Sequence, residues 1–481
     1  MEQIAVPLSS DSLVVARLPA QRVDAQGREH IDQRAVMALA LPLMANSAVQ
    51  IVLNLTDVWF VGRISTQALA AVGAVQWLVL VVVYVLGGVA TGVQTWVAQA
   101  QGAHHHRRAS RAVWTALWAV LIAAPLFVTA GAARNLILVP VGIDPDIARQ
   151  AGYFWFPRVG GAFFGAAVWC MFGFFNGVGR PRTTLMVTCV IAVANAIFNQ
   201  ILIFGFGLGI AGSGWASTAA QALGLLVAIS LFLRPYYRRI YKSHLTWRPH
   251  ARRIFEQTKL GFPMGLSPAA DLLGFAIFQM MQVRLGTVGG AATQVVMVLT
   301  SIAYTPGYGI AASGTTLVGQ SIGAGDPRWA SRVGSRVILL AGLYMGGIGI
   351  LLALCGPWIL PFFTQSHDAQ AAAMVSLGTQ LLWVAAACQF FDGINMGCGM
   401  ALRGAGDVVV PAVLVVPLSL LIFLPTAHML TFAPGQGWVH FLPQFGWGAI
   451  GGWIAVLIYL IVLASALLLR WRSGAWRRIR L

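Results

Sequence analysis

The stretch LAAVGAVQWLVLVVVYVLGGVATGVQTWV, residues 69–97, contains no Asp, Glu, Lys, Arg or His. A helix of about 20 apolar residues crosses the hydrocarbon core of a bilayer, so this stretch is longer than a span requires. A short polar segment follows, His104-His-His-Arg-Arg-Ala-Ser-Arg111, with three arginines. The alternation of long apolar run and short basic gap continues along the chain. Further runs lie at 35–61, 216–233, 408–430 and 450–469.

Composition agrees. Of 481 residues, 58% are hydrophobic and 9% charged, and the mean hydropathy is +0.76. A soluble domain is roughly one quarter charged, so this chain lacks the polar residues to cover a water-facing surface. Backbone groups in lipid must be satisfied internally, which leaves helices or closed barrels. The alternating segments of a barrel are absent. The expected fold class is therefore an all-α polytopic membrane protein. The expected spans are 35–61, 68–100, 112–138, 151–176, 183–205, 210–233, 258–284, 290–322, 333–362, 372–402, 408–431 and 446–470.

The formal net charge is +17, but its distribution speaks for topology and against a nucleic-acid partner. Of the 31 basic residues, all but Arg63, Arg134, Arg149, Arg158 and Arg284 fall before residue 35, in alternate gaps between apolar runs, or after the last run. The positive-inside rule makes that side cytoplasmic. Both termini are then expected in the cytoplasm, with an even number of spans in a bacterial inner membrane. The first 34 residues hold no apolar core suited to a cleavable signal peptide, so the first span is expected to direct insertion. The basic tail from Trp471 reads as an interfacial anchor on anionic lipid. Cys170, Cys189, Cys355, Cys388 and Cys398 lie in apolar segments with no metal-site or disulfide spacing and read as core packing.

The chain repeats internally. A shift of 221 residues places Pro42 on Pro263, Arg63 on Arg284, Gly88 on Gly309, Gln99 on Gln320, and Gly102-Ala103 on Gly323-Ala324. It also sets Arg107-Arg-Ala-Ser-Arg111 against Arg328-Trp-Ala-Ser-Arg332. A slightly larger shift aligns Asn176-Gly-Val-Gly-Arg180 with Arg403-Gly-Ala-Gly-Asp407. Two parallel six-helix bundles follow, related by an axis along the membrane normal, with a substrate site between them. The expected organisation is an N-terminal segment 1–34, an N-lobe 35–233, a linker 234–257, a C-lobe 258–470 and a tail 471–481. Asp144-Pro145-Asp146 reads as a polar cap and first-turn proline before the fourth span.

Three of the 14 acidic residues fall inside spans: Asp57, Asp271 and Asp392. A carboxylate at the bilayer centre costs a few kcal/mol even on the lenient insertion scale and usually marks an ion or proton pathway. For Asp57 a structural pairing with Arg63, six residues on, is the competing reading. Aromatic residues cluster in span four (Phe154-Trp-Phe156, Phe163-Phe164, Trp169, Phe174-Phe175) and span ten (Trp383, Phe390, Phe391). Ring faces attract organic cations, and Met280-Met281 adapts to varied shapes. His104-His-His106 reads as inert loop, and Gly205-Phe-Gly-Leu-Gly209 lacks the context of a dinucleotide site.

Several of these motifs together resemble the MATE (multidrug and toxic compound extrusion) transporters. They are Pro42…Asp57-Val-Trp-Phe-Val-Gly-Arg63…Ala68-Leu-Ala-Ala-Val-Gly73, Ile203-Phe-Gly205 with Gly212-Ser-Gly-Trp-Ala-Ser-Thr218, Gly261-Phe-Pro263 with Asp271, and Gln389-Phe-Phe-Asp392 with Leu402-Arg-Gly404. The last resembles the NorM-like bacterial branch. The resemblance spans roughly residues 35–470 and implies twelve helices in two V-shaped bundles, drug efflux, and Na+ or H+ antiport. Residue by residue it implies an N-lobe cation site of Asp57, Asn195, Asn199 and Thr218, and a C-lobe site of Asp271 and Asp392. Phe391 and Trp169 then join those two acids as the expected substrate contacts. Some family members carry an acid where Asn199 stands, some sodium-coupled ones a tyrosine where Cys388 aligns, and many a Glu where Asp271 stands. No cofactor beyond the coupling ion, no catalytic residue and no resident metal is expected. The expected partners are small-molecule drugs or metabolites and membrane lipid, with the chain a monomer. The alternative reading is a flippase for lipid-linked saccharides, which would line its cavity with several Arg or Lys. A major-facilitator carrier would show an Asp-Arg-x-Gly-Arg motif, and a membrane transferase a catalytic loop.

Overall fold

The computed structural model of the protein describes residues 18–24, 26–134, 136, 145–363, 369–439 and 441–479. Among these, eleven helices are long and apolar enough to cross a membrane, and a bent pair makes a twelfth crossing. The first half comprises α1 (Gln33–Gly62), α2 (Thr66–Gly102), α3 (His106–Ala132), the bent pair α4 (Pro145–Gly160) and α5 (Ala162–Gly177), α6 (Pro181–Asn199) and α7 (Gly209–Phe232). A short helix α8 (Pro235–Tyr241) lies in the linker. The second half comprises α9 (Ala251–Arg284), α10 (Thr287–Gly323), α11 (Pro327–Ile359), α12 (Ala369–Ala405), α13 (Val409–Pro417) leading into α14 (Leu424–Thr431), and α15 (Gly448–Arg472). Two π-helical turns interrupt the regular helices, Gln200–Gly205 after α6 and Leu418–Phe423 between α13 and α14.

The helix starts follow from local chemistry. Asp32 caps α1 by accepting from Arg34 N at 2.9 Å, Ser65 caps α2 by accepting from Ala68 N at 2.9 Å, and Asp326 caps α11 by accepting from Trp329 N at 2.8 Å. Each fills one of the donors that a helix start leaves open. Pro181, Pro235 and Pro327 open their helices at the position where proline loses nothing. Of the cap expected before span four, Asp144 lies outside the described residues, and α4 begins at Pro145.

The fourth span, read from sequence as one straight helix over 151–176, is bent by 40°. Pro157 removes a helical hydrogen bond, and the break falls at Gly160-Gly161. The bend seats the chain tightly on α7: a Cβ on Gly161 would lie 2.2 Å from Thr218 Cγ2, and one on Gly214 would lie 2.6 Å from Pro157 Cγ. One further expectation changes. Cys189 is exposed on α6, so only Cys170, Cys388 and Cys398 are core packing and Cys355 is half-buried. Trp471 and Trp476 are buried and stack 4.6 Å apart, with Trp471 Nε1 donating to Ser335 Oγ on α11 at 3.0 Å, so these two rings pack against protein while Arg472, Arg477 and Arg478 are exposed. Residues 18–31 form a hairpin, β1 (Gln21–Val23) against β2 (Glu29–Ile31), docked on α11 where Trp329 Nε1 donates to Pro19 O at 2.9 Å.

One apolar core fills each half, built from α2, α3, α5 and α7 in the first and from α9, α12 and α15 in the second. The halves meet in a reciprocal way. A Cβ on Gly102 would lie 1.9 Å from Gln320 O, and one on Gly323 would lie 2.0 Å from Gln99 O, so only glycine fits at either crossing. Thr95 Oγ1 donates to Arg403 O and Thr316 Oγ1 to Asn176 O, both at 3.0 Å. Gln99 Nε2 donates to Gly404 O at 3.0 Å, and Gln320 Nε2 donates to Gly177 O at 2.8 Å. Every member of these pairs is the repeat counterpart of the other. The Gly177 and Gly404 carbonyls at the C-terminal ends of α5 and α12 are thus filled by the opposite half, while Asn176 O and Arg403 O also accept from Gly179 N and Gly406 N of their own half. Farther from this face α2 meets α9 at Gly88 and Gly265, where a Cβ on Gly265 would lie 2.1 Å from Tyr84 O. These contacts all lie in the half of the bundle nearest the arginine-rich face.

Candidate functional site

Asp57 is half-buried on α1, about a turn and a half before its end. Asn199 Nδ2 donates to its Oδ1 at 2.8 Å and to Asn195 Oδ1 at 3.1 Å. Ser217 Oγ donates to Asp57 Oδ2 at 3.2 Å, and Asn195 Nδ2 donates to Ser217 Oγ at 3.3 Å. Asn195 and Asn199 lie one turn apart on one face of α6, and the π turn begins directly after Asn199. Such turns recur at functional sites because they re-aim side chains within a span. Asn199 Oδ1 is buried with no partner among the described residues. A buried oxygen of this kind is costly.

Two details of the expected set change. Thr218 does not reach Asp57: its hydroxyl donates to Pro157 O at 2.7 Å, and its neighbour Ser217 takes that place. Arg63 is not the partner of Asp57; its guanidinium lies over the Trp59 ring, 5.0 Å from the centroid. The cation whose charge acts on Asp57 is Arg158, in the last turn of α4. Sequence reading set Arg158 aside as an outlier of the positive-inside pattern.

In the second half, Asp271 on α9 accepts from Tyr459 Oη at 2.5 Å. The Ser419 hydroxyl lies beside the same carboxylate and donates to Ala270 O at 3.3 Å. Gly274 admits it, since a Cβ there would lie 2.6 Å from Ser419 Oγ. Ser419 sits in the second π turn, so each half carries a π turn at its polar cluster. Asp392 on α12 accepts only from Asn395 Nδ2, at 3.2 Å among the described residues, and its charge acts on Asp271. The structure therefore holds the acids as two groups, Asp57 in one half and Asp271 with Asp392 in the other. Tyr459, Ser419 and Ser217 were not picked out from sequence, because Ser and Tyr are ordinary in apolar helices and only the packing shows which of them face a carboxylate.

Trp169 is half-buried, with its ring 5.4 Å from that of Tyr84 on α2. Phe391 is half-buried beside Phe390, their rings 5.4 Å apart. Most other rings of span four are core: Phe154, Trp155, Phe174 and Phe175 are buried, and Phe174 packs on Phe232, Tyr237 and Tyr241. Met281 is likewise core, while Met280 is exposed.

Known proteins resemble this arrangement along most of its length. Among curated sequences, the "Probable multidrug resistance protein NorM" of Brucella suis biovar 1 (strain 1330) is 29% identical over 455 residues, 93% of either chain. The "Multidrug resistance protein NorM" of Burkholderia vietnamiensis is 29% identical over 431 residues, 88% of this chain and 91% of the other. Among solved structures, a MOP superfamily transporter from Pyrococcus furiosus Vc1 superposes with a TM-score of 0.80 at 19% identity, over 92% of this chain and 96% of that one. A multidrug resistance MATE family transporter in an outward-facing conformation superposes with a TM-score of 0.79 at 18% identity, over the same shares. The MatE family profile matches residues 42–201 and 263–429, one segment in each half and each enclosing its half's acidic residues, and on that match the chain belongs to the MatE family.

Proposed function

We propose that this protein is a secondary active multidrug efflux transporter, exporting amphipathic organic cations or metabolites in exchange for Na+ or H+. The observation that carries the reading is the placement of carboxylates inside the membrane. Asp57 is held in the first half by Asn199 and Ser217, while in the second Asp271 is held by Tyr459 and feels the charge of Asp392. An intramembrane acid is costly and is retained where it binds or moves charge. A carboxylate that faces a cation substrate and a coupling ion in turn provides antiport with no covalent step. The NorM names of the curated relatives support drug efflux.

By the positive-inside rule the arginine-rich face is cytoplasmic, which places both ends of the chain there. The reciprocal contacts of Gln99 and Gln320 then close the cytoplasmic side. Asp392, with a single amide partner, is the acid most open to substrate; Phe391 and Trp169 offer ring faces to an organic cation. Parting of the halves at the cytoplasmic face would present the same acids inward. No nucleotide-binding loop is present in the sequence, in keeping with an ion gradient as the energy source.

Dye transport in proteoliposomes under an imposed Na+ or H+ gradient tests this, with wild type beside Asp392→Asn. One gradient is expected to drive movement of a cationic dye, and the variant to lose most of it. Folded wild-type protein that moves no dye under either gradient would overturn the reading.

A further inference from the structure

The two repeat-related basic segments, Arg107-Arg-Ala-Ser-Arg111 and Arg328-Trp-Ala-Ser-Arg332, have different surroundings. In the second half the segment is covered by the chain itself. Trp329 is 1% exposed and donates to Pro19 O, and Arg332 Nη1 lies 3.4 Å from Glu29 Oε2. In the first half the linker packs on Ser110, whose hydroxyl lies 2.7 Å from Thr246 Oγ1, but it leaves the outer arginines uncovered. Arg107 and Arg108 are exposed, Arg111 is half-buried, and the charges of Arg253, Arg108 and Arg107 all act on Arg111. Glu256, the acid of the adjoining linker, is engaged by Arg252 at 2.9 Å. Four like charges thus meet with no carboxylate paired to Arg107, Arg108, Arg111 or Arg253 among the described residues.

The same stripe of α3 continues into an apolar groove. Residues 107, 111, 114, 118 and 121 follow the four-three spacing of one helix face. Below the arginines, Trp114, Trp118 and Leu121 form one wall of a groove of about 280 Å³, and Phe163, Phe164 and Leu225 line the rest. The linker braces this face. Trp114 Nε1 donates to Ser243 O at 2.8 Å and Trp118 Nε1 to Trp247 O at 2.7 Å, while Trp247 is itself 49% exposed. A positive cluster at the interface with an apolar groove directly beneath it matches one class of molecule, a phosphate head joined to an acyl chain.

We propose that this face of α3 is a binding site for one anionic phospholipid of the arginine-rich leaflet. Arg107, Arg111 and Arg253 receive the phosphate, and the groove lined by Trp118 and Phe164 receives an acyl chain. Guanidinium groups suit this task because they offer paired donors to phosphate oxygens. The site is built on α3 and the linker, with none of Asp57, Asp271 and Asp392 in it, so it stands whether or not the transport reading does.

Native mass spectrometry of the full-length protein, titrated with phosphatidylglycerol or with phosphatidylethanolamine, tests the site. Wild type is expected to keep one phosphatidylglycerol in preference to phosphatidylethanolamine. The Arg107→Gln/Arg111→Gln variant is expected to bind it roughly thirtyfold more weakly, the order set by two basic groups near an anionic headgroup. Arg328→Gln/Arg332→Gln is expected to bind as wild type does. Leu121→Trp, which fills the groove mouth and leaves every arginine in place, is expected to lose the bound lipid too. Equal retention of both lipids by wild type overturns the proposal, as does an equal loss in the two arginine variants. Displacement of the lipid by millimolar inorganic phosphate alone would also overturn it, since a free anion would then be the ligand.

Discussion

Asp271 and Asp392 belong to one polar group, yet their tethers differ. Tyr459 Oη holds Asp271 at 2.5 Å, while Asp392 has one longer amide contact. A hydrogen bond to a charged group contributes about 1.5–3 kcal/mol, so Tyr459→Phe is expected to lower dye efflux in proteoliposomes about tenfold or more, with yield and elution volume unchanged. Efflux equal to wild type would remove Tyr459 from the coupling group. His104 offers a second case. It adopts a left-handed backbone (φ 55) where its repeat counterpart is Gly325 (φ 84). A side chain in that region costs roughly 1–2 kcal/mol, which His104→Gly relieves at some cost in backbone entropy. The variant is expected to melt slightly higher than wild type in a thermal shift assay. A lower melting temperature would assign the histidine ring a stabilising contact of its own.

At the scale of elements, the bend of span four fixes where α4 meets α7. A Cβ on Gly161 would lie 2.2 Å from Thr218 Cγ2. Gly161→Val is therefore expected to straighten or dislodge the pair and cost about 3 kcal/mol or more, read as a large fall in melting temperature and in folded yield. Unchanged stability would mean that the bend is set by Pro157 alone. Elements of this kind divide what was legible in the sequence from what was not. The spans could be read because each apolar run matches the thickness of a bilayer. Asp57, Asp271 and Asp392 stood out because a charge within such a run is conspicuous. Thr218 and Ser217 are adjacent on one helix, and only the helix rotation decides which of them faces Asp57. The bend itself left a trace in the Pro157…Gly160-Gly161 sequence, but proline and glycine are common enough in membrane helices that the trace does not distinguish a kink from a tolerated residue.

For the whole molecule, the arrangement of the halves was legible through the repeat, because duplicated residues must occupy duplicated surroundings. Gln99 and Gln320 do so, each reaching the helix end of the opposite half. A typical hydrogen bond contributes about 0.5–1.5 kcal/mol net, so the Gln99→Leu/Gln320→Leu double variant should shift the balance of states by roughly tenfold or more toward parting at this face. Spin labels on α3 and α12 near that face, read by double electron–electron resonance, are expected to show a longer distance population, with the two single variants shifted about equally. An unchanged distribution would mean that the glycine crossings alone hold the halves. The nature of these fastenings has a wider consequence. The oxygens at the ends of α5 and α12 are main-chain carbonyls, and when the halves part, water takes the place of each Thr and Gln donor at little net loss. A seam closed by hydrocarbon alone would expose oily surface on opening; this one is mixed, since Val36 and Ala40 of α1 share an apolar cluster with Ile310 and Val337 of the other half, and only its polar part rehydrates. A fastening whose polar part rehydrates would release and re-form more readily than one made of hydrocarbon alone, like a zip partly lubricated by the solvent it keeps out.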